Sequence, residues 1–148
     1  MKRITSTWSL RVARSDDVAA IEKLIPLSVR GLQSDYYSDA QMDAALGSVF
    51  GVDQQLIRDN TYFVVEHKCA IIACGGWSKR KTLFGSDHQT NRDDAELNPA
   101  CDSARIRAFF VHPEWARRGI GSAIRAAGFH SIELAATLPG KAFYAAFN

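Results

Sequence analysis

The stretch VHPEWARRGIGSAIRAAGF, from Val111 to Phe129, constrains this chain more than any other. The apolar run ARIRAFFV (Ala104–Val111) leads into it and reads as a strand. Gly119 and Gly121 then open a helix that reaches Ala127 and is closed by Gly128. A strand, a turn rich in backbone N–H groups and a helix start make an anion site, because the first helical amides have no internal partner and the helix dipole adds partial positive charge there. The two glycines let a bulky phosphate reach the backbone, and Arg117 and Arg118 set two positive charges beside it. A pyrophosphate suits such a turn. The usual nucleotide motifs fit less well: Ser122-Ala123 stands where a P-loop needs Lys-Ser/Thr, and Ile124 stands where a dinucleotide fingerprint needs its third glycine. The spacing by itself is equally compatible with a tight turn that holds nothing.

The rest of the chain supplies an α/β context. TWSLRVAR alternates Trp8, Leu10 and Val12 against Ser9, Arg11 and Ala13, which predicts a strand. A helix follows, with Ser15 or Asp16 as its N-cap, carrying Val18, Ile21, Leu24 and Ile25 at helical spacing and a kink or restart at Pro26. Ser38 to Gln41 fits a capping box, with Met42, Leu46, Val49 and Phe50 continuing on one face. Thr61–His67 and Ala70–Ser78 read as a hairpin joined by Lys68-Cys69. Arg80 to Ser103 is polar and aperiodic, which predicts a binding lid or a disordered segment. Ser131–Ala136 reads as a further strand, parallel to the one before it, and Lys141 to Phe147 as a final helix.

Composition removes several classes of partner. A chain of 148 residues is the size of one domain, taken here as residues 1–148. A formal net charge of +2 gives no field for nucleic acid. No window approaches the roughly 18 apolar residues of a membrane span, and the polar N-terminal stretch has no apolar signal core. Cys69, Cys74 and Cys101 are an odd set without CxxC spacing, read as reduced thiols of a cytoplasmic protein. Neither they nor the four histidines have metal-ligand spacing.

IRAFFVHPEWARRGIGSAI resembles the acyl-CoA-binding motif of the GNAT superfamily of N-acetyltransferases, in which a strand ends in Val-x-Pro and an Arg/Gln-x-x-Gly-x-Gly/Ala turn opens the central helix. Val111, Pro113, Gly119 and Gly121 match, and Ala116 stands where the family usually has Arg or Gln. LRVARSDDVAAIEKLI is similar to the family's opening strand and helix, YFVVEHKCAIIACGGWS to its second and third strands, and FYAAF to its Phe-Tyr segment. The resemblance implies an α/β domain, a mixed sheet with helices on both faces, and transfer of acetyl from acetyl-CoA, as co-substrate and without a metal, to an amine of a small molecule or peptide. It implies pyrophosphate on the amides of Arg117, Arg118, Gly119, Ile120, Gly121 and Ser122. The pantetheine arm would lie along the strand edge Phe109, Phe110 and Val111. Tyr144 matches the family tyrosine that protonates the leaving thiolate; its other reading is a core aromatic beside Phe143 and Phe147. Glu133, among Ile132, Leu134 and Ala135, is a candidate base whose apolar strand would raise its pKa, or else an exposed strand residue; Glu66 and His112 are further candidates. Asp35, Tyr36 and Tyr37 in QSDYYSD, and Trp77 at the end of its strand, are candidates for the acceptor side, or else plain surface and core.

Against the family pattern, the central helix is short. Nine residues, Gly119 to Ala127, span roughly 13 Å at 1.5 Å per residue, whereas the eight-residue strand before it spans roughly 26 Å at 3.3 Å per residue. The expectation is a GNAT fold shortened in its central helix and at its C-terminal end, or a molecule with residues that this sequence lacks. The strand edge beyond Ser131–Ala136 then invites pairing with another copy, which predicts a homodimer with exchanged C-terminal elements, a state that sedimentation separates from a monomer. The competing functional reading is a chain of this fold that binds CoA or a protein partner without turnover.

Overall fold

A computed structural model describes residues 7–82, 86–88, 92–102, 104–116 and 132–133. Strand β1 (Ser9–Val12) is followed by helices α1 (Val18–Gln33), α2 (Asp39–Leu46) and α3 (Gln54–Arg58), then by strands β2 (Tyr62–His67), β3 (Ala70–Ser78), β4 (Ala104–Val111) and β5 (Ile132–Glu133). The strands form one sheet in the order β1-β2-β3-β4-β5, antiparallel except for the parallel β4–β5 pair. The sheet is therefore mixed, and the parallel placement of the fifth strand agrees with the sequence.

Several local expectations are revised. The first helix does not start on Ser15 or Asp16. Ser15–Asp17 form a 3-10 turn, and the Asp17 carboxylate accepts the Arg14 backbone N–H at 2.7 Å. Asp17 is recruited because Arg11 on β1 grips the same carboxylate with two bonds of 2.7 and 2.8 Å and reaches Glu66 on β2 at 2.7 Å. α1 then runs through Pro26 without interruption, held by the buried stripe Ile21, Leu24, Ile25, Ser28 and Val29. The Ser38–Gln41 capping box forms in both directions. The helix it opens ends at Leu46, so Val49 and Phe50 reach the core from the following turn, where Phe50 N–H closes on Ala45 O at 2.7 Å. α3 has five residues, too few for a periodic signal, and Asp53 caps it through the Gln55 N–H at 3.1 Å.

The hairpin turn is Lys68-Cys69, both residues at positive φ, 48° and 65°. Tyr62, Val64 and Cys74 face α1 and join its stripe in the main core, together with Met42, Phe50, Leu56 and Phe110. Val65, Ile72 and Ala73 face the other side of the sheet, with Trp8, Phe109, Val111 and Trp115 against them. β1 inverts the usual pattern. Its charged residue, Arg11, lies on the helix-covered side, while Leu10 and Val12 stay 36 % and 40 % exposed. The ion-pair cluster around Arg11 makes that inversion tolerable, since each charge there has a partner.

Hydrogen bonding to Arg11 holds the Asp17 carboxyl below its ordinary value. A folded pKa below the unfolded one stabilises the protein above the ordinary aspartate value, about 3.9, and that contribution is lost as pH falls through the folded value. Asp17→Asn is therefore expected to cost about 1–3 kcal/mol at pH 7. Urea denaturation should show the gap to the parent narrowing towards pH 3, and a gap that stays constant with pH would remove the ion pair as its cause.

Candidate functional site

The C-terminal half of β4 is shaped by a bulge. Cys74 pairs with Phe110 and Gly76 with Arg107, so two residues of β4, Ala108 and Phe109, span the interval that Gly75 spans on β3. The extra residue shifts the side-chain alternation. Phe110 and Arg107 both face α1, while Phe109 faces the opposite side of the sheet. Gly75 is required there, because a β-carbon would overlap the Phe109 ring. Phe110 packs edge-on against Phe50, with ring centroids 5.9 Å apart.

Among the described residues, β5 pairs with β4 at Ala104 and Arg105. Among the described residues, no strand continues that ladder beside Phe109 to Val111. The Val111 N–H is bonded to Ser28 Oγ on α1 at 3.1 Å. Beyond it, His112 N–H returns to Ile72 O at 2.8 Å and Pro113–Trp115 form a 3-10 turn. α1 seats on this turn so closely that a β-carbon at Gly31 would overlap Pro113.

The candidate residues are distributed as follows. Phe109, Phe110 and Val111 lie on the bulged half of β4. Arg117, Arg118, Gly119, Ile120, Gly121, Ser122 and Tyr144 lie outside the described residues, as do both expected C-terminal helices. Glu133 is on β5 in register with Arg105. Asp35 and Tyr36 are exposed in the turn after α1, and Tyr37 packs against the α1-side core. Trp77 is half-buried on β3, where alternation from Ala73 through Gly75 sets it on the opposite side of the sheet from that core. The four acceptor-side candidates thus do not form a single cluster. Two further base candidates are occupied. Glu66 accepts from Arg11, which holds its carboxyl low. His112 Nδ1 accepts the Glu114 N–H at 3.2 Å.

One charged cluster was not anticipated. Asp53 is buried and faces Arg107 from β4 at 3.0 Å and Arg92 at 3.2 Å. Arg92 also donates to Ser86 O at 2.9 Å and pairs with Asp94 at 2.9 Å. This cluster replaces the expected lid or disordered stretch, over the described part of Arg80 to Ser103, with a docked excursion. Lys81 N–H bonds Ala95 O, Thr82 N–H bonds Asp93 O, and Arg80 pairs with Asp59 at 2.8 Å. Burial pushes the Asp53 carboxyl above its ordinary range, while Arg107 and Arg92 pull it back; the same burial lowers Arg107. The available signal was Arg107 itself, a charge inside an apolar strand, which requires a buried partner.

Cys74 accepts a bond from the Tyr62 hydroxyl at 3.2 Å, and burial pushes its thiol up to about 12, so it is inert as a nucleophile. Cys69 and Cys101 are exposed and free. Among the described residues there is no group of three His, Cys, Asp or Glu placed to hold a metal, and no helix is long and apolar enough to cross a membrane.

No protein-family model matches the chain, and a search of curated proteins returns no match. Solved structures do match. A GCN5-related N-acetyltransferase from Rhodopseudomonas palustris superposes with a TM-score of 0.62 at 17 % identity, over 100 % of this chain and 84 % of that one. A GNAT family acetyltransferase from Brucella melitensis, in complex with acetyl-CoA, gives 0.55 at 16 % identity, over 97 % and 82 %. The PaiA N-acetyltransferase from Thermoplasma acidophilum, in complex with coenzyme A, gives 0.55 at 9 % identity, over 82 % and 69 %. The chain has the fold of the GNAT N-acetyltransferases.

Removing one side of a buried charge cluster is costly. Asp53→Asn turns two guanidiniums towards a neutral amide and should destabilise the protein by about 3–5 kcal/mol. Limited proteolysis should then cut within residues 80–102 sooner than in the parent. A denaturation midpoint equal to the parent's would show that the cluster does not hold the excursion.

Proposed function

We propose that this protein is an acetyl-CoA-dependent N-acetyltransferase acting on an amine of a small molecule or peptide. The observation that carries the reading is the geometry of β4. Among the described residues, a bulged strand pairs with its parallel neighbour at its start, and the sequence then runs through Val111 and Pro113 into Arg117–Ser122. The fold it shares with structures that hold coenzyme A or acetyl-CoA supports the same reading.

In this proposal the pyrophosphate lies on the amides of Arg117 to Ser122, and the pantetheine arm follows Phe109 to Val111. The Ser28 hydroxyl, which already holds the Val111 N–H, either rotates away or stays as a lateral cap. The amine nitrogen attacks the thioester carbonyl carbon and the C–S bond breaks. Tyr144 gives its hydroxyl proton to the departing sulfur, and Glu133 takes the proton released by the amine. Asp35, Tyr36 and Tyr37 contribute to the acceptor side, and Trp77, on the other face of the sheet, does not join them. The docked excursion steadies the Arg107 side of β4.

Two substitutions test the assignment separately from folding. Gly121→Glu adds bulk and negative charge at the pyrophosphate turn and should abolish acetyl-CoA binding in calorimetry; unchanged affinity removes that turn from the site. Tyr144→Phe keeps the ring and loses the proton, so turnover should fall about 10²–10⁴-fold with acetyl-CoA affinity retained. A parent protein that binds acetyl-CoA yet releases no thiol with any of a panel of amines would favour the binding-only reading.

A further inference from the structure

Arg107 and Phe110 are three residues apart on β4, yet both face α1. In a regular strand, residues three apart face opposite sides, so the two side chains demand different registers against β3. Phe110 lies opposite Cys74, and Val111 opposite Ala73 and the bond from His112 N–H to Ile72 O keep the same step. Arg107 lies opposite Gly76, and Ile106 opposite Trp77 and Arg105 opposite Ser78 keep a step that differs by one residue. Carried on without a bulge, the register of the second half would set Ala108 opposite Gly76 and Arg107 opposite Trp77, on the side away from α1.

Each half has its own anchor. Phe110 packs edge-on against Phe50 in the main core. Arg107 meets Asp53 at 3.0 Å, and the two residues are 5 % and 4 % exposed. The bulge has a cost, since it interrupts the ladder and demands glycine at position 75. A regular register would avoid that cost, but it would take Arg107 across the sheet and away from Asp53. Separating a buried ion pair costs more than one missed ladder bond, so the charges outweigh the irregularity. The half of β4 held by Arg107 is also the half on which β5 pairs, at Ala104 and Arg105. Its register against β3 therefore sets where β5 and Glu133 lie along the sheet.

We propose that the buried Asp53–Arg107 pair locks the register of the first half of β4, and so holds the bulge at Ala108–Phe109 and the position of β5. Asp53 is then a positioning residue that acts through Arg107. This role does not depend on the acetyl-CoA reading given above.

Cross-strand NOEs measured by NMR on the full chain test it. In the parent they should set Gly76 opposite Arg107 and Trp77 opposite Ile106. Arg107→Met removes the charge, keeps an unbranched side chain and leaves Asp53 paired with Arg92. It should move the pairing by one residue, with Gly76 opposite Ala108, or show both registers side by side. Arg107→Lys keeps the charge and should keep the parent pairing. Asp53→Asn should shift the pairing as Arg107→Met does; where it does not fold, Arg107→Met decides. Gly75→Ala gives an independent reading. Its methyl group overlaps the Phe109 ring in the bulged strand, so it should lower the urea midpoint of the parent. In the Arg107→Met background the fall should be less than half as large. Parent pairing retained in Arg107→Met, with Gly75→Ala as damaging as before, overturns the proposal and leaves Phe110 and Gly75 to hold the bulge. A shift in Arg107→Lys equal to that in Arg107→Met overturns it as well, because the charge would not be what holds the strand. Failure of Arg107→Met to fold also overturns it, since the pair would then be needed for folding rather than for choosing between registers.

Discussion

The bulge in β4 is the constraint on which the candidate site depends. A regular strand would alternate Arg107, Ala108, Phe109 and Phe110 strictly, placing Arg107 and Phe110 on opposite sides of the sheet. The extra residue sends both towards α1 and leaves Phe109 on the other side. From that shift follow the Phe50–Phe110 contact in the core, the approach of Arg107 to Asp53 and the requirement for glycine at position 75. A second irregularity, between Val65 and Glu66, puts Ile72 and Ala73 on the same side and keeps Glu66 turned towards Arg11. The two offsets together set which face these side chains occupy.

Electrostatics inside the domain follow the same geometry. Asp53 joins three parts of the chain that are distant in sequence: the start of α3, the excursion through Arg92, and β4 through Arg107. Buried charges of this kind add little net stability compared with apolar packing but strongly penalise incomplete assembly. The cluster thus specifies how the polar excursion docks. Arg11, Asp17 and Glu66 do similar work at the edge of the sheet, tying β1 to β2 and to the start of α1.

The sequence made the strand-and-helix order readable where patterns were long or capped. The stripe of α1, the Ser38 box and the apolar β2–β3 pair each rest on local chemistry that a linear reading can detect. The parts it missed depend on distance. Asp17 replaces Ser15 or Asp16 because Arg11 reaches it across the strand–helix corner, and α3 is too short to show a period. Arg80 to Ser103 reads as featureless because it is anchored by Asp53 and Asp59, neither of which lies within it. Near the candidate site, the strand itself was legible from ARIRAFFV and Pro113. The bulge was not, since nothing in ARIRAFFV marks which residue is extra.

The Lys68-Cys69 turn has a consequence for how the sheet assembles. Two-residue hairpin turns with both residues at positive φ favour Asn and Gly, which adopt that conformation at little cost. A side-chain-bearing residue such as Lys68 or Cys69 opposes the left-handed conformation by roughly 1–2 kcal/mol. This turn therefore lends the hairpin no local stability of its own. Its shape is imposed by Val64, Val65, Ala73 and Cys74 once they are buried on the two sides of the sheet. The hairpin thus depends on its buried middle rather than on its tip, where the turn opposes the pairing that it closes.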